Sequence, residues 1–303
     1  MLAWSKSIGR CTVSFISVLL TQLALFLVPL FFSASPILIQ LTLSALVLVV
    51  VLGFGGWCKR LLGFNASAPA FVFCSIFFIW GVHIAIVRQA ISPVMDVLFN
   101  VEMIMLIIGL FRIMLKDPGF VVSESFSLGK LNDNSVLGVQ THNESSLLQM
   151  RARYCKSCQT YVQGFDHHCP AFGNCQKNYV LFMVLLVGFI TAEISYIVCS
   201  SQFTSKFRVL EENRVESGSI LVMARSTLLF CVLQVLWQGP FLIWHVYCIC
   251  FNIRTEEWVN WKNYPAFQLN ASSLSGENYQ ETSFKNPHNK GILQNVKEFL
   301  TLK

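Results

Sequence analysis

Six side chains able to bind a soft metal or act as nucleophiles crowd into residues 155–175: Cys155, Cys158, His167, His168, Cys169 and Cys175. A tetrahedral zinc site takes four such ligands, so two are surplus, and one of those is a cysteine. Cys155 and Cys158 have the Cys-x-x-Cys spacing of a zinc knuckle, which is half of a site. The other half must come from the later four residues. Side chains alternate sides in an extended segment, so His168 points one way and His167 and Cys169 the other. If His168 goes to the metal with Cys175, the ligands are Cys155, Cys158, His168 and Cys175. His167 then stands beside Cys169, both off the metal. An imidazole beside a thiol favours thiolate, the nucleophilic form. Asp166 is placed to orient and charge-stabilise the histidine, as in a nucleophile–histidine–carboxylate triad. Alternation alone does not bring Asp166 there; a turn is needed. The competing reading is a purely structural zinc knuckle in which His167 and Cys169 take no part. A RING-type module needs more ligands than these six.

The scaffold that must hold these residues is a membrane one. Of the 303 residues, 54% are hydrophobic and only 13% charged, whereas soluble domains run near a quarter charged. Apolar runs long enough to cross a bilayer as helices cover about 11–32, 37–57, 70–87, 94–115, 179–200 and 227–251. A kink is expected at Pro240, and a charged loop holding Lys206, Arg208, Glu211, Glu212 and Arg214 is expected between the last two runs. The expected fold is an all-α polytopic membrane protein with about six transmembrane helices and a small cytosolic zinc-binding module between the fourth and fifth. The expected divisions are a four-span region at 1–115, a linker at 116–150, the cysteine-rich module at 151–178, a two-span region at 179–251 and a polar tail at 252–303.

Six spans put both termini, the 58–69 loop and the cysteine cluster on one side. Lys6, Arg10, Lys59, Arg60, Arg112, Lys116, Arg151, Arg153, Lys156 and Lys177 fall there, against Arg88 and a mixed-charge loop opposite. This bias predicts a cytosolic cluster, with the sequons at Asn65, Asn143 and Asn270 unmodified. The net charge of +6 contains no basic run, which suits contact with anionic headgroups and gives no sign of nucleic-acid binding. Cys11, Cys58, Cys74, Cys199, Cys231, Cys248 and Cys250 read as small hydrophobes, with Cys58 also placed for lipid attachment. His83, Asp96, Glu102, Glu193 and His245 lie in or near spans and read as interhelical hydrogen-bonding groups. Cys169 is about ten residues from the fifth span, so at most about 3.5 Å per residue keeps its thiol near the bilayer surface. That place suits an acyl chain held among helices with its polar carrier in the cytosol.

Asp166-His167-His168-Cys169-Pro170, preceded by Cys155-x-x-Cys158 and followed by Asn174-Cys175, resembles the DHHC family of protein S-acyltransferases. Asp117-Pro118-Gly119 resembles that family's DPG motif, and Thr255 and Glu257 match its TTxE motif. Asn286-Pro287 through Gly291 to Asn295 resembles its C-terminal Asn-bearing motif. The resemblance implies palmitoyl transfer in two steps: Cys169, activated by His167 and Asp166, takes the acyl group from a fatty acyl-CoA and passes it to cysteines of membrane-associated proteins. Zinc would hold the module in shape, and Arg151, Arg153, Lys156 and Lys177 are candidates to attract CoA phosphates. The implied setting is an endomembrane (ER or Golgi) or the plasma membrane, with the termini and the module cytosolic. A non-catalytic zinc-bearing membrane adaptor is the alternative function. Three departures stand out. The family's second zinc site has no counterpart cysteines, with Tyr154 and Tyr161 at two of its positions, so one zinc is expected, with tyrosine packing in place of the other. Ala171 stands where the family often has Trp. The link Asn174-Cys175-Gln176-Lys177-Asn178-Tyr179 is two residues shorter than the family's.

Overall fold

The computed structural model describes residues 2–63, 66–121, 151–176, 179–210, 218–270 and 282–301. Helices α1 (Leu2–Phe31), α2 (Ile37–Leu62), α3 (Ala68–Ala85), α4 (Pro93–Leu115), α5 (Tyr179–Leu210) and α6 (Gly218–Cys250) dominate the chain. Each contains a stretch long and apolar enough to cross a membrane, and the chain is a multi-pass helical membrane protein. The polar segments carry two antiparallel hairpins, β1 (Arg153–Cys155) with β2 (Thr160–Val162) and β3 (His168–Cys169) with β4 (Asn174–Cys175). After α6 come the short helix α7 (Thr255–Val259), the antiparallel pair β5 (Gln268–Asn270) and β6 (Thr282–Phe284), and helix α8 (Ile292–Thr301). Most of the expected linker, together with Lys177, Asn65 and Asn143, lies outside the described residues.

Local chemistry sets the helix ends. Pro36 precedes α2, and Gly63 closes it in the left-handed region at φ 67, its N–H reaching the Lys59 carbonyl at 3.2 Å. Ser67 caps α3, its hydroxyl accepting the Ala70 N–H at 3.5 Å. The last two long helices outrun their apolar patterns. Instead of a loop carrying Lys206 and Arg208, α5 continues to Leu210, and α6 already begins at Gly218. No glycine or proline interrupts residues 201–210, so nothing stops the helix where hydropathy falls. Lys206 also donates to the carbonyl of Ala90, at the end of a 3-10 turn over Val87–Ala90. Helix α6 remains helical through Pro240.

The chain forms two compact units. The first comprises Met1–Arg112, Pro170–Phe172 and Val184–Phe241, and the second Ile113–Cys169, Gly173–Met183 and Leu242–Lys303. In the first unit, three polar pairs join neighbouring helices, where hydrocarbon offers no partners. The Trp80 indole donates to Asn100 at 2.8 Å, His83 bonds Asp96 at 3.1 Å, and Gln238 donates to Glu193 at 2.8 Å. Asp96 also meets Arg88 at 3.0 Å. These pairs specify which helix faces meet, and small residues let them meet closely. A Cβ on Gly109 of α4 would run into the buried Leu185 side chain of α5, and one on Gly188 would sit 3.1 Å from Leu106. Such close approach is a common device of membrane helix packing.

Gly109→Val should therefore lower the stability of the detergent-solubilised chain by about 1–3 kcal/mol through overpacking. Gly53→Ala, where an added Cβ meets nothing within 4 Å, serves as the control. Thermal unfolding of the two variants checks this, with a clear drop expected only for the first.

Candidate active site

The second unit holds every residue singled out by the cysteine and histidine spacing. Its first hairpin pairs Arg153 with Val162, Tyr154 with Tyr161 and Cys155 with Thr160, and the Cys158 N–H lies 3.4 Å from the Cys155 sulfur. The second hairpin pairs His168 with Cys175 and Cys169 with Asn174. Gly173 makes its tight return possible: at φ 64 it occupies the left-handed region while its N–H bonds the Cys169 carbonyl at 2.9 Å. Together the hairpins converge Cys155, Cys158, His168 and Cys175, whose ligand atoms all lie within 4.8 Å of one another.

The spacing of that group can be tested against a metal. His168 Nδ1 lies 3.7 Å from the Cys155 sulfur and 3.5 Å from those of Cys158 and Cys175, and the last two sulfurs are 3.4 Å apart. Tetrahedral zinc with its usual Zn–S and Zn–N bonds has ligand–ligand edges of about 3.5–3.8 Å. A disulfide would require about 2 Å, and all four thiol positions of the module are free cysteines. The group therefore fits a tetrahedral ion. Cys155 and Cys175 are buried with Val162 and Phe165, with Cys158 packed against them. On the other side of the first hairpin, the Tyr154 and Tyr161 rings meet edge to face at 5.4 Å.

The surplus residues form a second arrangement. His167 Nδ1 lies 2.6 Å from Asp166 Oδ2, and Cys169, two residues on, is itself buried. The turn that Asp166 requires comes from outside the cluster. Its carboxylate, with no exposed surface, accepts the Thr255 backbone N–H at 2.8 Å, and its carbonyl accepts that of Glu256 at 3.2 Å. On the other side, the Asp166 N–H reaches the Gln176 carbonyl and the Gln176 N–H returns to the His167 carbonyl. Burial by itself would raise the Asp166 pKa, but the His167 bond and charge and the Thr255 N–H prevail and hold it below the usual carboxylate range. Burial likewise pushes His167 down, yet the Asp166 bond and charge and the neighbouring Cys169 outweigh this and lift it to about 9. Two further rings surround His167: Phe182 of α5, edge-on at 5.4 Å, and His245 of α6 at 5.7 Å.

The remaining motifs hold this unit together. Asp117 Oδ1 accepts the N–H groups of Gly119 and Phe120, and the segment then pairs with β2 through Val121 to Tyr161 and Gln163 to Gly119. Asn174 Nδ2 donates to the carbonyls of Ile113 and Lys116 at 3.2 and 2.9 Å, answering open acceptors at the end of α4. The end of α6 is served the same way: Asn295 donates to the Cys250 carbonyl at 2.8 Å and Asn286 to that of Phe251 at 2.6 Å. Glu257 accepts the Arg254 N–H at 3.0 Å and pairs with Arg151, whose Nε is 2.8 Å from Oε1. Arg151 also reaches Asn252 Oδ1 at 2.8 Å. Of the basic residues considered for CoA, Arg151 is thus committed to a buried carboxylate and Arg153 lies 4.1 Å over the Tyr264 ring.

Burial raises the Glu257 pKa, but Arg151 and the Arg254 N–H overcome it and leave it lowered. A depressed carboxyl contributes stability above its unfolded pKa and loses it as pH falls through the folded value. Unfolding measured from neutral to acidic pH should therefore show Glu257-dependent stability that fades below the usual glutamate range. Arg151→Ala strands a buried carboxylate and should cost about 3 kcal/mol at neutral pH, with part of that acid-side slope lost.

Residues 142–262 match the family model described as DHHC palmitoyltransferase. Probable protein S-acyltransferase 1 of Arabidopsis thaliana is 30% identical over 160 residues, covering 50% of this chain and 40% of the relative. Palmitoyltransferase ZDHHC17 of Mus musculus is 23% identical over 201 residues, 60% of this chain and 30% of that protein. Palmitoyltransferase ZDHHC14 of Homo sapiens is 29% identical over 147 residues, 45% of this chain and 27% of that protein. The chain thus spans well under half the length of these curated relatives. The paired hairpins, Asp166, His167 and Cys169 all lie inside the segment that matches this family model, and the resemblance is to DHHC palmitoyltransferases.

Proposed function

We propose that this chain is a protein S-acyltransferase that moves a palmitoyl or similar fatty acyl group from acyl-CoA to cysteine thiols of membrane-associated proteins. One observation carries the reading: the buried Asp166 carboxylate is hydrogen-bonded to the His167 imidazole, with the buried Cys169 thiol two residues on, beside a separate four-residue group that fits a metal. A purely structural knuckle has no use for that first group.

In the first half-reaction, His167 takes the Cys169 proton and the sulfur attacks the thioester carbonyl of the acyl-CoA. The carbon–sulfur bond to CoA breaks, the departing thiolate receives the proton from His167, and the acyl group remains on Cys169. In the second, a substrate thiol gives its proton to His167 and attacks the acyl-enzyme, and Cys169 leaves as thiolate. Asp166 keeps His167 oriented and balances its charge throughout. Cys155, Cys158, His168 and Cys175 would hold one zinc, which supplies rigidity and no chemistry. With Tyr154 and Tyr161 packed together where the family's further ligands would lie, one ion per chain is expected. The distribution of Lys and Arg supports a cytosolic module, and the membrane context suits an endomembrane or plasma-membrane enzyme.

Incubation of the purified chain with a clickable fatty acyl-CoA tests this reading against the adaptor alternative. Wild type should take up a hydroxylamine-sensitive label that Cys169→Ser abolishes while keeping its metal. A folded, metal-loaded wild type that takes no label favours the adaptor. Cys155→Ser should lose metal and label together, since ligand loss undermines folding itself. Metal analysis should return one zinc per chain; two would overturn the assignment of the tyrosine pair.

A further inference from the structure

His245 sits five residues before the end of α6, where sequence alone suggests an ordinary interhelical hydrogen bond. Its side chain is fully buried, and its ring faces the proposed relay. The His167 and His245 centroids are 5.7 Å apart with planes at 35°. Phe182 lies 5.4 Å from His167 at 78° and 4.8 Å from His245 at 68°. The three rings therefore touch pairwise and close a triangle around one face and edge of His167.

The triangle addresses a gap in the relay. Asp166 fixes only Nδ1 of His167. The second side-chain torsion of histidine is broad and roughly two-fold, so one hydrogen bond leaves the plane of the ring free to swing. A swing of that kind carries Nε2 away from the nucleophile, and misplacement on the order of 1 Å can cost about a hundredfold in rate. A wall of flat rings removes the freedom by filling the space the ring would swing through. The wall is itself well founded. Asn295 and Asn286 hold the carbonyls at the end of α6 through Cys250 and Phe251, and Phe182 lies in the first turn of α5, itself almost fully buried.

We propose that His245 is a positioning residue for acyl transfer, acting with Phe182 as an aromatic wall that keeps the His167 ring turned toward Cys169. The inference rests on the acyltransferase reading and adds a residue to it. What His245 contributes is a flat, space-filling ring against His167.

The test uses the full chain in detergent or nanodiscs and compares wild type with His245→Ala, His245→Leu and His245→Phe. The single-turnover rate of Cys169 acylation by palmitoyl-CoA should fall roughly ten- to a hundredfold in the Ala and Leu variants. Half-saturating palmitoyl-CoA and zinc content should not change. His245→Phe restores a ring of similar volume and should stay within about fivefold of wild type. A merely structural role predicts loss of zinc or of folding instead, with no separation between Leu and Phe. Wild-type rates in His245→Leu overturn the proposal. So does a Phe variant as slow as Leu, which would mean that the imidazole nitrogens matter and the ring does not. If His245→Ala fails to fold, the Leu and Phe pair still decides. Alkylation of Cys169 by iodoacetamide needs no acyl donor and should follow the same order. A wild type that takes no acyl label while alkylation keeps that order sinks the acyltransferase reading and leaves the wall standing.

Discussion

A carboxylate with no exposed surface has to be paired on every side, and Asp166 is such a group. Buried charge is tolerated only where charge and hydrogen bonds replace the lost water. Here one oxygen faces His167 and the other the Thr255 N–H, while the backbone of the same residue pairs with Glu256 and Gln176. The segment after the sixth span is therefore not an independent tail. It supplies the donors that make the buried Asp166 sustainable, and Glu257, clasped by Arg151, fixes the turn from which those donors project.

A second constraint is the separation of six similar side chains into two spatial groups. The β3–β4 hairpin performs it by pairing His168 with Cys175 and Cys169 with Asn174. In a two-residue strand, successive side chains face opposite ways, so His168 joins the sulfurs and Cys169 does not. Asn174, opposite Cys169, ties the same hairpin to the last carbonyls of α4. His168, Cys175 and the Cys169 thiol are thus held by one short element, and a shift of register by one residue would break up this separation.

Much of this was legible in the sequence because it is written in local spacing. The Cys-x-x-Cys knuckle, the alternation through His167, His168 and Cys169, and the six apolar runs all follow from period and composition. The ends of α5 and α6 were not legible that way, since falling hydropathy does not stop a helix, and residues 201–210 continue α5 beyond the most apolar run. The support of Asp166 by Thr255 was out of reach for another reason. It is a hydrogen bond from the Thr255 backbone N–H to a carboxylate 89 residues away in sequence, and the type of the donor's side chain does not announce it. His245 and Phe182 looked like span residues; only their ring contacts with His167 single them out. An ionisable residue close to the end of a span that precedes a recognisable motif was the available signal.

Peptide mapping of acid-quenched enzyme, after brief exposure to palmitoyl-CoA and differential alkylation, tests most directly whether the cysteines divide as described. The acyl thioester should be found on Cys169, with Cys155, Cys158 and Cys175 protected from alkylation until the metal is removed. An acyl group on any of those three, or a Cys169 shielded by the metal, would contradict the account.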